Sequence, residues 1–140
     1  MALPSDGTKF SAYCVVVTPE TIVMVEKPGR NRGDECPGGH GAPEDASLEE
    51  CAARELLEET GIDVEPEDMK MIGAPVVKPT YISAVFLVYL STIPKTIRKI
   101  GSDGEIVHIR KRQDVIKGNV PVWPPHLADI KCGIQMNGGL

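Results

Sequence analysis

The chain has 140 residues, a net charge of −5, 41% hydrophobic and 25% charged residues, enough for one domain whose core buries roughly two-thirds of the chain surface. No apolar run reaches the ~18 residues that span a bilayer and no charged, apolar, small-residue leader opens the chain, so a soluble, cytoplasmic protein with no membrane partner is expected. Nucleic-acid binding through a basic face gains little support at this charge, and Cys14, Cys36, Cys51 and Cys132 are too scattered for a zinc site or a disulfide framework.

In chain order, Phe10 to Val17 and Thr21 to Glu26 are β-branched apolar runs parted by Thr18-Pro19-Glu20, which predicts a hairpin. A polar, Gly-rich stretch from Pro28 to Asp34 leads to Cys36-Pro37-Gly38-Gly39, where glycines permit backbone conformations closed to other residues. Ser47, with Glu50 three residues on, is a capping box. It predicts a helix to about Thr60, stopped by Gly61. Lys70 to Val77 and Tyr81 to Leu90 are predicted strands, the second apolar enough for burial on both faces. A basic loop from Thr92 to Gly104 precedes a strand near Glu105 to Arg110. Val115 to Pro125 is punctuated by Pro and Gly, and Pro125 to Ile134 is a second, shorter helix. The tail from Asn137 is expected to fray. No repeat or linker interrupts the chain, so a single α/β domain over 1–140 is expected.

Between Glu44 and Asp68 lie eleven of the twenty acids against one base, Arg54. On the predicted helix, Glu55, Glu58 and Glu59 fall within an arc of roughly 100°, with Ala52, Ala53, Leu56 and Leu57 beside them facing the sheet. Converging carboxylates raise one another's pKa unless a cation neutralises them. Such hard oxygen donors suit Mg²⁺ or Mn²⁺, typically shared with substrate phosphates. Arg54, four residues before Glu58, is placed to pair with it. A plain amphipathic helix with a charged outer face is the competing reading of these residues alone.

The stretch from Gly38 to Ile62 resembles the Nudix box: Gly, five residues, Glu, seven residues, Arg-Glu-aliphatic-x-Glu-Glu-x-Gly-aliphatic. Arg54, Glu55, Leu56, Glu58, Glu59, Gly61 and Ile62 match its second half at every defined position. The first half carries one extra residue. Counting forward from Gly39 lands on Asp45 and counting back from Arg54 lands on Ala46, so Glu44, Asp45 or neither replaces the first glutamate.

The resemblance implies an α/β/α sandwich with a mixed central sheet and a divalent-metal-dependent pyrophosphohydrolase. Its substrate would be a nucleoside diphosphate linked to another moiety: a nucleoside triphosphate, a nucleotide-sugar or similar. It further implies that Glu58 and Glu59 ligate Mg²⁺ or Mn²⁺ with the Gly38 carbonyl. Glu55 would ligate a second ion or help deprotonate water, and Arg54 would orient the carboxylates. Glu105, with Asp103 behind it, is the candidate for a further carboxylate from downstream.

Arg30, Arg32, His40 and Tyr81 are candidates for substrate contact, and the basic groups Lys95, Arg98 and Lys99, or Arg110 to Arg112, are placed to reach phosphates. The alternative is a catalytically weak or inactive nucleotide-binding module of the same fold. Relatives that dimerise suggest a homodimer, with the arm before Lys9 available for exchange.

Overall fold

The computed structural model describes residue 3 and residues 7–138. The last two residues of the expected frayed tail, and most of the arm before Lys9, lie outside the described residues. The hairpin is present: β1 (Lys9–Val17) and β2 (Thr21–Glu26) pair antiparallel at Val16↔Val23 and Val17↔Ile22. Strand alternation sends Ala12, Cys14, Val16 and Val23 to one face, and Val15, Val17, Ile22 and Met24 to the other. Both faces are covered, which is why these strands read as continuous apolar runs.

β3 (Gly38–His40) and β6 (Tyr81–Tyr89) complete the centre of the sheet. β6 runs parallel to β1 along its whole length, from Lys9↔Tyr81 to Val17↔Tyr89. The other edge of β1 is shared: β2 takes its carboxyl end, and β3 takes its start through Ser11↔His40 and Tyr13↔Gly38. The sheet is therefore split between β2 and β3, and the chemistry-bearing residues gather at that split. β7 (Ile106–Lys111) lies outside β2.

The strand expected over 70–77 is instead two pieces, β4 (Lys70–Met71) and β5 (Val76–Lys78), each antiparallel to β6. Gly73 turns the chain at φ 65° and Pro75 has no N–H to give a ladder, so one strand cannot run through.

Helix α1 (Leu48–Thr60) covers one face of the sheet. Ser47 caps its start as predicted, its Oγ accepting the Glu50 N–H at 3.1 Å, while the reciprocal bond of Glu50 goes one residue before the cap, Oε2 accepting the Ala46 N–H at 2.9 Å. Gly61, left-handed at φ 79°, ends it by donating to the Leu57 carbonyl. α2 (Arg112–Ile116) is a short helix with no counterpart in the sequence reading, since five residues are too few to show a helical period. α3 (Pro124–Met136) covers the second face and is longer than expected. Its leading prolines fall where a first-turn N–H has no intrahelical acceptor. The result is the α/β/α sandwich with a mixed sheet. Cys14, Cys36 and Cys51 are buried free thiols and Cys132 is exposed. Among the described residues no helix is long and apolar enough to cross a membrane.

Candidate active site

The apolar stripe of α1 is not where residue counting placed it. The buried residues are Leu48, Cys51, Ala52, Leu56, Glu59 and Thr60, whereas Leu57 is 39% exposed. At ~100° per residue Glu55 and Glu59 point into the middle of this buried arc, not beside it. The glycines of β3 make the room. A Cβ at Gly38 would come within 2.3 Å of the Ala12 carbonyl oxygen, and one at Gly39 within 3.0 Å of the Glu55 carboxyl.

Glu59 is 4% exposed. Its Oε1 accepts the Gly38 N–H at 3.0 Å and its Oε2 lies 3.5 Å from Lys27 Nζ. Lys27 Nζ in turn donates to the Gly38 carbonyl at 2.5 Å. Burial outweighs Lys27 and the Gly38 N–H and pushes Glu59 up to about 8; burial also raises Glu55, with Glu58 adding to it. Glu58 is the open member of the set.

Arg54 ties these groups to the preceding loop. Its Nε and Nη2 hold Asp45 at 3.0 and 2.9 Å, its Nη1 reaches Glu58 at 3.1 Å and Glu55 at 3.3 Å, and Nη2 also donates to the His40 carbonyl at 3.1 Å. Burial alone would raise the Asp45 carboxyl, but Arg54 and the Ala42 N–H hold it below its usual range. Glu44 is exposed, and the acid facing Arg54 is Asp45. The loop absorbs the extra residue by a turn in which the Asp45 N–H donates to the Ala42 carbonyl, returning the carboxylate to Arg54.

Glu105 is 5% exposed. Gly101 separates its carboxyl from the Glu59 main chain so closely that a Cβ there would meet them at 2.4 and 2.6 Å. Its Oε1 accepts the Asp103 N–H at 3.1 Å, and Asp103 itself is exposed.

The oxygens of Glu55, Glu58 and Glu59, with the Gly38 carbonyl, form a hard donor set that could hold Mg²⁺ or Mn²⁺. The Lys27 ammonium standing on two of its members shows that the position accepts a cation. Among the described residues, the group of three whose ligand atoms all lie within 4.8 Å of one another is instead Glu26, Asp34 and His108; the box glutamates stand further apart. There Arg110 grips both Asp34 oxygens, at 2.8 and 3.2 Å, and His108 Nε2 meets Glu26 at 2.5 Å, so the cluster's donor atoms already have side-chain partners.

The NUDIX domain family matches residues 8–122. The chain belongs to the Nudix hydrolase family.

No curated protein matches the sequence, but solved Nudix structures share the fold. A bifunctional NMN adenylyltransferase/ADP ribose pyrophosphatase from Francisella tularensis, complexed with AMP and Mn ion, is similar over 98% of this chain. The identity is 19% and the TM-score 0.69, and the chain spans only 44% of that protein's length. The NUDIX domain of Shewanella oneidensis NrtR complexed with ADP ribose is 16% identical over 93% of this chain and 88% of the other, at TM-score 0.70. MutT, from a study of the Aliivibrio salmonicida and Vibrio cholerae proteins, is 19% identical over 92% and 97%, at TM-score 0.67. At these identities the likeness is one of fold.

The remaining sequence candidates are not gathered into one patch. Arg30 and Arg32 are both held by Glu35, which is fully buried: Arg30 Nη1 at 3.2 Å, Arg32 Nη2 at 2.9 Å and Nε at 3.2 Å. The Arg32 guanidinium also lies 3.7 Å from the centre of the Trp123 ring. Burial would raise Glu35, yet Arg32, Lys27 and Arg30 together hold it low. The two guanidiniums are thus fixed by Glu35.

His40 is exposed at the end of β3 and meets Arg54 only through its carbonyl. The Tyr81 hydroxyl bonds Ser11 Oγ, on the β1 residue that pairs with His40. The basic run 110–112 is divided: Arg110 serves Asp34, and Arg112 is buried under the Thr18 and Pro19 carbonyls.

Lys27, Glu35 and His126 carried no sequence signal, because none sits at a motif spacing. His126, which burial pushes down to about 4, accepts the Cys36 N–H at Nδ1 and packs between Tyr13 and Trp123.

The raised Glu59 sets a stability signature. Its folded value lies above its ordinary 4.5, so the folded state keeps the proton after the unfolded state has released it. Stability from this group is complete below about pH 4.5 and is lost as pH rises through about 8. The Tm of the metal-free protein is expected to fall across that window more steeply than that of Glu59→Gln, as calorimetry would register. Parallel pH profiles for the two proteins would refute the assignment.

Proposed function

We propose that this single domain is a Mg²⁺- or Mn²⁺-dependent pyrophosphohydrolase acting on a nucleoside diphosphate linked to another group, working in the cytoplasm. The observation that carries the reading is the set of three α1 carboxylates at the split in the sheet, Glu55 and Glu58 both held by Arg54 and Glu59 held by the Gly38 N–H and Lys27. A divalent ion bound there would supply charge to screen the phosphates and would lower the pKa of a bound water.

Glu58, Glu59 and the Gly38 carbonyl would hold that ion, with Glu105 behind them. Glu55, partly buried, is placed to take the proton from water as the new P–O bond forms and the bridging P–O bond of the phosphoanhydride breaks, its oxygen leaving with the departing phosphate. Arg54 keeps Glu55 and Glu58 in register with each other. Arg30 and Arg32, immobilised by Glu35, offer their outer N–H groups to the departing phosphate, where charge develops. His40 and Tyr81 are assigned to the nucleoside side.

A second reading, a nucleotide-sensing module without turnover, is favoured by the extra residue in the first half of the box. The complete set of box carboxylates weighs against it.

The test is a panel of nucleoside triphosphates, nucleotide-sugars and ADP-ribose incubated with Mg²⁺ or with EDTA, scored for phosphate and nucleoside monophosphate release. Turnover of at least one compound, abolished by EDTA, is expected. Tight binding without turnover across the panel would favour the sensing module.

A further inference from the structure

Lys27 follows the last residue of β2, and its side chain is 11% exposed. Lysine is almost never so buried unless it is paired. Its Nζ donates to the Gly38 carbonyl at 2.5 Å, lies 3.5 Å from Glu59 Oε2, and stands 5.5 Å from the centre of the Tyr13 ring. Two of these three neighbours are oxygens assigned above to the divalent ion, and this inference rests on that reading. The other nearby acid, Glu35, already receives three N–H groups from Arg30 and Arg32. Lys27 is therefore committed to the metal position.

We propose that Lys27 is a resident cation: its ammonium occupies part of the divalent-ion position in the metal-free chain, and ion entry and ammonium departure are a single exchange. The ammonium fills the space between the Gly38 carbonyl and the Glu59 carboxyl, donating to the first at 2.5 Å and standing 3.5 Å from the second. The two cations cannot share the Gly38 carbonyl and the Glu59 carboxylate. At contact distance like charges repel by several kcal/mol even at an effective dielectric constant near 20. Lys27 thus lowers the affinity of the site for its own metal, and the flexible four-carbon stem of lysine is what lets the group withdraw.

The exchange is tested by Mn²⁺ binding to the full chain without nucleotide, followed by electron paramagnetic resonance of the free ion. Lys27→Met and Lys27→Gln are each expected to bind Mn²⁺ on the order of tenfold or more tightly than the parent. Each should also show a lower Tm without metal, restored by saturating Mn²⁺. Unchanged or weaker Mn²⁺ binding in both variants would overturn the proposal.

The unmodified protein gives an independent measurement should the variants not fold. Acetic anhydride labelling of Lys27, read by mass spectrometry against exposed Lys131, should rise severalfold on adding Mn²⁺. Labelling that stays flat or falls counts against the exchange. A parent chain that binds no Mn²⁺ at all would instead sink the underlying metal assignment, so the two failures are distinct.

Discussion

Glu59→Gln is expected to lower kcat with Mg²⁺ by on the order of a thousandfold while leaving the metal-free protein as stable as the parent, or more stable, at pH 8. The activity loss follows from removing one anionic ligand from an ion whose charge stabilisation is worth several kcal/mol, about 1.4 kcal/mol per tenfold. The stability result has a different origin. Glutamine keeps the oxygen that accepts the Gly38 N–H but carries no buried charge, and the cost of ionising Glu59 near pH 8 disappears.

Glu58→Gln should lose activity to a similar degree with little change in stability, because Glu58 is 43% exposed and meets Arg54 at the surface. A kcat equal to the parent's in both variants would remove the metal assignment. Loss of activity accompanied by unfolding in Glu59→Gln would show that its carboxylate is a structural ion pair. The opposed movement of rate and stability in one substitution is what a site strained for function gives.

Arg54→Ala is expected to lower kcat/KM by about a hundredfold, in the range seen when groups orienting metal ligands are lost. It should also destabilise the fold by about 2 kcal/mol through the lost charged hydrogen bonds. Four partners depend on this side chain: Asp45, Glu55, Glu58 and the His40 carbonyl. Arg54→Lys should recover little, since one ammonium cannot reproduce a planar fork that grips Asp45 and reaches two glutamates at once.

The same contacts separate the two acids between which the box pattern is ambiguous. Asp45 has a side chain only 3% exposed against Arg54, so Asp45→Asn should weaken both activity and stability. Glu44 is exposed, and Glu44→Ala should stay within experimental scatter. Steady-state kinetics and denaturant midpoints on these four variants decide the matter. Equal effects at 44 and 45 would mean that Asp45 is not the acid paired with the box arginine.

Much of the fold was legible because its signals are local. The cap at Ser47, the stop at Gly61 and the unbroken apolar strands each depend on a few consecutive residues. All three appear where expected, the helix within one residue of its expected limits. Reading failed where the outcome depended on a neighbour. The 70–77 run broke because Gly73 and Pro75 mattered more than its apolar content. Leu57 turned outward because the glycines of β3 let Glu55 and Glu59 take the inner face.

By itself, the sequence determined that this chain carries a capped helix with three clustered glutamates behind a Gly-Gly turn, in a mixed α/β frame of the Nudix family. Only the tertiary structure decided that Glu59 is buried and Glu58 open, that Asp45 answers Arg54, that Glu35 pins Arg30 and Arg32, and that Lys27 stands on the Gly38 carbonyl. The physical reason is range. Helical caps and strand periods are fixed by atoms a few residues apart, whereas burial and ion pairing are fixed by whatever the fold brings alongside. A lysine at the end of one strand can meet a helix glutamate only after the sheet has assembled between them.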